Sequence, residues 1–144
     1  MYPIKRKFGC ISGGLDQRFV QKPLLRNDML KNKILDACEK KKISNVDTLL
    51  SIGANIETSN ILGNTLLNIS VSEKNDIPMC SLLLTKKADI NQLGDLSSGN
   101  TSLMEAIRNN NDIMVDLLLE KKADITVTNY DGINSLLYCL INEK

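Results

Sequence analysis

The chain has 144 residues, 42% of them hydrophobic, with 18 lysines and arginines against 17 aspartates and glutamates for a net charge of +1. That length and apolar content suffice for one domain with a real core, and the near-neutral balance gives no polyanion-binding surface, so nucleic acid is not an expected partner. Apolar runs fall far short of a membrane span, no apolar block marks a signal peptide, and the absence of histidine removes the commonest general base and metal ligand.

Residues 1–27 read as an N-terminal tail or irregular cap, with Lys5-Arg6-Lys7-Phe8, Gly13-Gly14 and Pro23 but no sustained periodicity. From residue 28 the chain repeats itself. LLSIGANI (Leu49 to Ile56), LLLTKKADI (Leu82 to Ile90) and LLLEKKADI (Leu117 to Ile125) place three alanines, Ala54, Ala88 and Ala123, 34 and 35 residues apart. Each is followed by a glycine, Gly63, Gly99 or Gly132, that opens GNT, GNT or GIN and then an apolar stretch at helical spacing. The period is 33 residues; Pro78 and two extra residues in the loop from Ile90 to Gly99 account for the longer second copy. Working backward, Ala37 stands 17 residues before Ala54 as Ala106 stands before Ala123, so Asn32 to Cys38 is a degenerate first helix. The units run over about 28–59, 60–95, 96–128 and a partial 129–144.

Asp76 and Asp112 each follow an asparagine-bearing stretch and open a second helix, so both are expected as N-caps and not as catalytic carboxylates. Pro78 falls in a first turn, where a missing N–H costs nothing. Cys38, Cys80 and Cys139 fall on core positions of the repeat and, with Cys10, share no CxxC spacing, which predicts reduced thiols packed as small hydrophobes. No phosphate loop and no nucleophile motif is present, so neither catalysis nor a cofactor is expected.

The G-x-T with its following apolar residue, the helical alanine, the paired leucines and the closing G-A-D/N-I together resemble the ankyrin repeat family over about Asp28 to Lys144. The resemblance implies an all-α solenoid of about four helix-turn-helix repeats with protruding loops. Family repeats usually carry histidine after the helix-opening Thr-Pro-Leu; Asn68, Met104 and Leu137 stand there, and only Asn68 can keep part of the hydrogen bonding. Lys87 and Lys122 replace the helix-ending glycine retained at Gly53, at a cost of about 1 kcal/mol each if the left-handed backbone persists.

The buried stripe, Leu67, Ser70, Leu83, Leu84, Leu103, Ala106, Leu118 and Leu119, is committed to stacking. Loop tips and the groove side of the first helices remain for function: Ile61, Leu62, Asn64, Leu96, Ser97, Ser98, Asn100, Tyr130, Asp131 and Ile133 at tips, Ser72, Glu73, Arg108 and Asn109 in the groove. Ile61 and Leu62 either pack on the adjacent tip through Leu93 or Leu96 or belong to a contact patch; Tyr130 is the aromatic anchor. The resemblance implies a non-catalytic module that binds, sequesters or recruits a partner protein, as such domains do in viral and pathogen proteins that engage host factors. A regulatory segment of a larger enzyme, channel or transcription factor is the alternative. A cytoplasmic location is expected, with the nucleus or a host cell also open, and no membrane association. The last helix, Leu136 to Ile141, lacks a second helix to cover it, which predicts either a fragment or shortened cap, or weak self-association through Leu137, Leu140 and Ile141.

Overall fold

A computed structural model describes residues 26–72 and 76–142. Within them the chain forms seven helices: α1 over 26–39, α2 Ile43–Ser51, α3 Leu66–Ser72, α4 Ile77–Thr85, α5 Ser102–Arg108, α6 Asp112–Glu120 and α7 Ser135–Asn142. The helix α1 is already under way at residue 26, two residues ahead of the expected boundary; the rest of the N-terminal segment lies outside the described residues. None of these helices is long and apolar enough to cross a membrane.

Local chemistry explains why the helices start and stop where they do. The side chains of Thr65, Thr101 and Asn134 accept from the N–H groups of Asn68, Met104 and Leu137 at 3.3, 3.3 and 3.0 Å, capping α3, α5 and α7. Asp76 caps α4 as expected, accepting from Met79 N–H at 3.3 Å. For α6 the cap is one residue earlier than expected: Asn111 accepts from Met114 N–H at 3.2 Å, and Asp112 sits in the first turn, where its charge suits the helix dipole.

Five helix ends close alike. Lys41, Gly53, Lys87, Asn110 and Lys122 take the left-handed conformation, at φ of 55, 100, 67, 51 and 66°. The residue after each donates back five positions, as Ala54 to Leu49, Ala88 to Leu83 and Ala123 to Leu118 do at 2.9 to 3.0 Å. The recurring alanine is thus the residue that locks the end of each second helix, and the left-handed backbone persists at both lysines.

Helices pair within a repeat (α3 with α4, α5 with α6) and stack between repeats (α3 on α5, α5 on α7, α2 on α4). The shared core holds Ile34, Ala37 and Cys38 of α1, Val46 of α2, Leu66 and Leu67 of α3, Met79, Cys80 and Leu83 of α4, Leu103 and Ala106 of α5, and Met114 and Leu118 of α6. Leu84 is half-buried and Leu119 is exposed, so the expected stripe is narrower by one leucine per second helix. Cys38 and Cys80 are buried free thiols, the Cys38 thiol donating to the Leu66 carbonyl at 3.6 Å. Cys139, expected in the core, is exposed: it lines an open cleft with Ile107 of α5 and Val115 of α6 that no helix among the described residues fills.

Candidate partner-binding face

Each second helix leads into a loop that projects as a hairpin finger before the next first helix. In finger 1 the Asn60 side chain accepts from the N–H groups of Leu62 and Asn64, both at 3.0 Å, while Asn60 N–H reaches the Asn64 carbonyl at 3.0 Å. In finger 3 Asn129 does the same for Asp131 and Ile133, at 3.0 and 2.9 Å. A short antiparallel bridge closes both, Ser59 with Thr65 and Thr128 with Asn134. Finger 2, with its two extra residues, puts Gly94 at the corresponding place, since a Cβ there would lie 2.2 Å from the Asn68 side-chain nitrogen. Its turn is organised instead by Asp95, which accepts from Ser97 N–H at 3.2 Å and from the Ser97 and Ser98 hydroxyls at 2.7 and 2.8 Å. Those bonds favour the ionised carboxylate and hold its pKa at about 2.

The fingers are tied to one another. Leu96 N–H donates to the Leu62 carbonyl at 2.8 Å and Tyr130 N–H to the Ser98 carbonyl at 3.1 Å. At the bases, Asp89 N–H donates to Glu57 Oε1 and Asp124 N–H to Asn91 Oδ1, both at 2.8 Å. Side chains follow the backbone: Leu96 lies over Gly63 and the Tyr130 ring over Gly99, so close that a Cβ on either glycine would stand 2.7 Å from them. Gly132, the third of these glycines, has no described residue above it. Of the two explanations offered for the apolar tips, packing on the adjacent tip is seen between finger 1 and Leu96, and it does not extend to Ile61. Leu96 and Tyr130 each rest one side on a neighbouring finger yet remain 71 and 59% exposed, and Ile61 is 94% exposed.

Of the remaining candidates, Ser97 and Asp131 are exposed and Asn64, Ser98 and Ile133 half-buried. Asn100 is a correction: it is buried, donating through Nδ2 to Glu105 Oε1 at 2.9 Å and to the Tyr138 hydroxyl at 3.4 Å while accepting from Asn129 Nδ2 at 2.9 Å. It holds two fingers and two helices together and has no surface left to offer a partner. In the groove, Ser72 is exposed with its hydroxyl donated to the Asn68 carbonyl at 2.7 Å, and Arg108 is committed to buried Glu105 at 2.5 Å. Asn109 is half-buried at the end of α5, and Glu73 lies outside the described residues.

At the groove end between α1 and finger 1, the sequence marks Glu39 as a groove position and Asn60 and Ile61 as tips but passes over Asp28, Lys31, Asn32 and Leu35. There Asp28, Lys31, Asn32, Leu35 and Glu39 face Ser59, Asn60 and Ile61 across an open cavity of about 590 Å³. The helical period of 28, 31, 32, 35 and 39 was a readable signal of one shared helix face. Among the described residues no group of three or more Cys, Asp and Glu is placed to hold a metal ion.

Stacked helix pairs with linked fingers define an ankyrin-repeat solenoid, and residues 34–129 match the family model for ankyrin repeats in three copies. The chain belongs to the ankyrin repeat family. It is 34% identical over 112 residues to the ankyrin repeat protein FPV031 of fowlpox virus (strain NVSL), covering 77% of this chain and 31% of that protein. The chain thus spans about a third of the length of the curated relative it matches. Ankyrin repeats generally mediate protein–protein interaction and the family is generally non-catalytic.

Proposed function

We propose that this chain is a non-catalytic protein-binding module that grips a partner protein along the finger tips and the adjoining groove. The carrying observation is the set of exposed apolar side chains Ile61, Leu62, Leu96 and Tyr130 on three consecutive fingers, with Leu96 resting on Gly63 and Tyr130 on Gly99. Exposed large hydrophobic side chains that support one another without sinking into a core are the composition of an interface centre, with Tyr130 as a rigid amphipathic anchor. The groove cavity beside Ile61 extends the same face toward α1.

The test is affinity capture from a cell lysate with wild type and the double variant Ile61→Ser/Leu96→Ser. Both substitutions fall on side chains more than two-thirds exposed, so the melting temperature is expected to hold while captured proteins disappear. Capture of the same proteins by a folded double variant would sink the reading.

A further inference from the structure

We infer that the partner segment seated on the finger ridge is cationic as well as apolar: a stretch of polypeptide carrying lysine or arginine beside the side chains that cover Ile61, Leu62, Leu96 and Tyr130. This rests on the proposed binding face and names the chemistry of its occupant.

The net charge of +1 conceals a separation of signs. No lysine or arginine occurs from Asn55 to Ser72, from Ala88 to Ile107 or from Ala123 to Asn142, the three runs that make the fingers and the first helices α3, α5 and α7 except for Arg108, the last residue of α5. Those runs carry Glu57, Asp89, Asp95, Glu105, Asp124 and Asp131. Glu105 is neutralised by Arg108; exposed Asp89, Asp124 and Asp131 and half-buried Glu57 and Asp95 lie on the fingers with no ion pair to a described residue. The cations of the second half of the array stand elsewhere, as Lys86 and Lys87 after α4 and Lys121 and Lys122 after α6, and Lys86 is bound to Asp47 of α2 at 2.7 Å.

Two of these carboxylates flank the ridge itself: Asp95 precedes Leu96 and Asp131 follows Tyr130. The Ser97 and Ser98 bonds keep Asp95 ionised throughout the physiological range. An anionic rim around an apolar strip disfavours an acidic partner or a nucleic acid and speeds encounter with a basic one. It also discriminates, because like charges brought together at an interface cost several kcal/mol in the wrong complex.

The experiment is a fluorescence-anisotropy titration of the full chain with a labelled amphipathic peptide of leucine and lysine and with its leucine and glutamate counterpart. The lysine peptide is expected to bind more tightly and to weaken as salt shortens the reach of the charges from about 30 Å at 0.01 M to about 3 Å at 1 M. Asp95→Asn/Asp131→Asn should weaken it about fivefold, as should, to a lesser degree, Asp131→Asn alone, which leaves the Asp95 turn intact. Asp112→Asn/Asp116→Asn on α6 should not. Equal binding of the two peptides, or equal loss from the finger and α6 variants, overturns the inference. Ile61→Ser/Leu96→Ser in the same titration separates the two levels. Loss there with no effect at Asp95 and Asp131 leaves the ridge standing and removes its charge preference, whereas no effect from any of them removes both.

Discussion

The Ser102 hydroxyl donates to Asn68 Oδ1 at 3.4 Å, and one repeat later the corresponding residues are Ser135 and Met104. Asn68 serves the position as expected of a histidine substitute: it accepts from Thr65 Oγ1 at 2.6 Å and donates to the Asn100 carbonyl at 3.3 Å. Met104 offers none of this, and Ser135 Oγ is buried with no hydrogen-bond partner among the described residues. Ser135→Ala should therefore leave stability unchanged or raise it by about 1 kcal/mol, while Ser102→Ala should lower it by about 1 kcal/mol. Paired urea melts would show both; a clear loss from Ser135→Ala would mean that the hydroxyl has a partner after all.

Leu103 and Leu136 occupy the same place in successive repeats, yet Leu103 is 2% exposed and Leu136 57%. Leu103→Ala should cost about 2 to 5 kcal/mol through lost contacts and an unfilled cavity, and Leu136→Ala well under half of that. Comparable losses in thermal melts would show that the outer face of α7 is covered in solution.

Lys87 and Lys122 sit at φ of 67 and 66°, where glycine is at ease and a Cβ is strained. Replacing both by Gly should relieve about 1 kcal/mol or more at each, partly offset by the greater freedom of glycine in the unfolded chain. The double variant should melt a few degrees higher than wild type, whereas Lys121→Gly/Lys86→Gly, at neighbouring positions outside the left-handed region, should melt lower.

Asp95 has a folded pKa of about 2, below its ordinary value of 3.8, because Ser97 and Ser98 donate to the charged form. A lowered folded pKa stabilises the fold above the unfolded value and ceases to do so as pH falls through the folded value. Any stability advantage of wild type over Asp95→Asn should thus be present at neutral pH and shrink between about pH 4 and pH 2. Melting both proteins across that window tests it; an advantage that persists at pH 2 would assign it to something other than the charge.

Burial pushes the Cys38 thiol up to about 12 and Cys80 up to about 11, while Cys139 is exposed. Alkylation of the native protein followed by peptide mapping should label Cys139 well before either of them. Early labelling of Cys80 would contradict the packing of α3 against α4.

The repeat period and the alanine and glycine punctuation made the stacking order legible, because each mark answers a backbone need at a helix end or a finger turn. Ile61 and Tyr130 were legible as surface because apolar residues between turn-formers have no local core. Asn100 was not: in a Gly-Asn-Thr loop its amide looks free for a partner, and its burial depends on Asn129 and Tyr138, 29 and 38 residues away. The cap at Asn111 was ambiguous by one residue within a run of polar N-cap formers. The exposure of Cys139 follows from a cleft beside α5 and α6 that no described helix fills, which no local pattern states. The acidic fingers were hidden because a net charge sums over the surface and erases its geography.

For the proposed partner-binding face, the backbone ties from Leu96 to Leu62 and from Tyr130 to Ser98 bear on the thermodynamics of recognition. Loop-borne interfaces ordinarily surrender backbone and rotamer freedom when a partner arrives, a cost of about 0.5 to 1.5 kcal/mol for each side chain immobilised. Here the backbone at Leu96 and at Tyr130 is fastened to the neighbouring finger when the array folds, so that part of the ordering is complete beforehand. Differences in affinity among partners should accordingly appear in how fast complexes come apart more than in how fast they form.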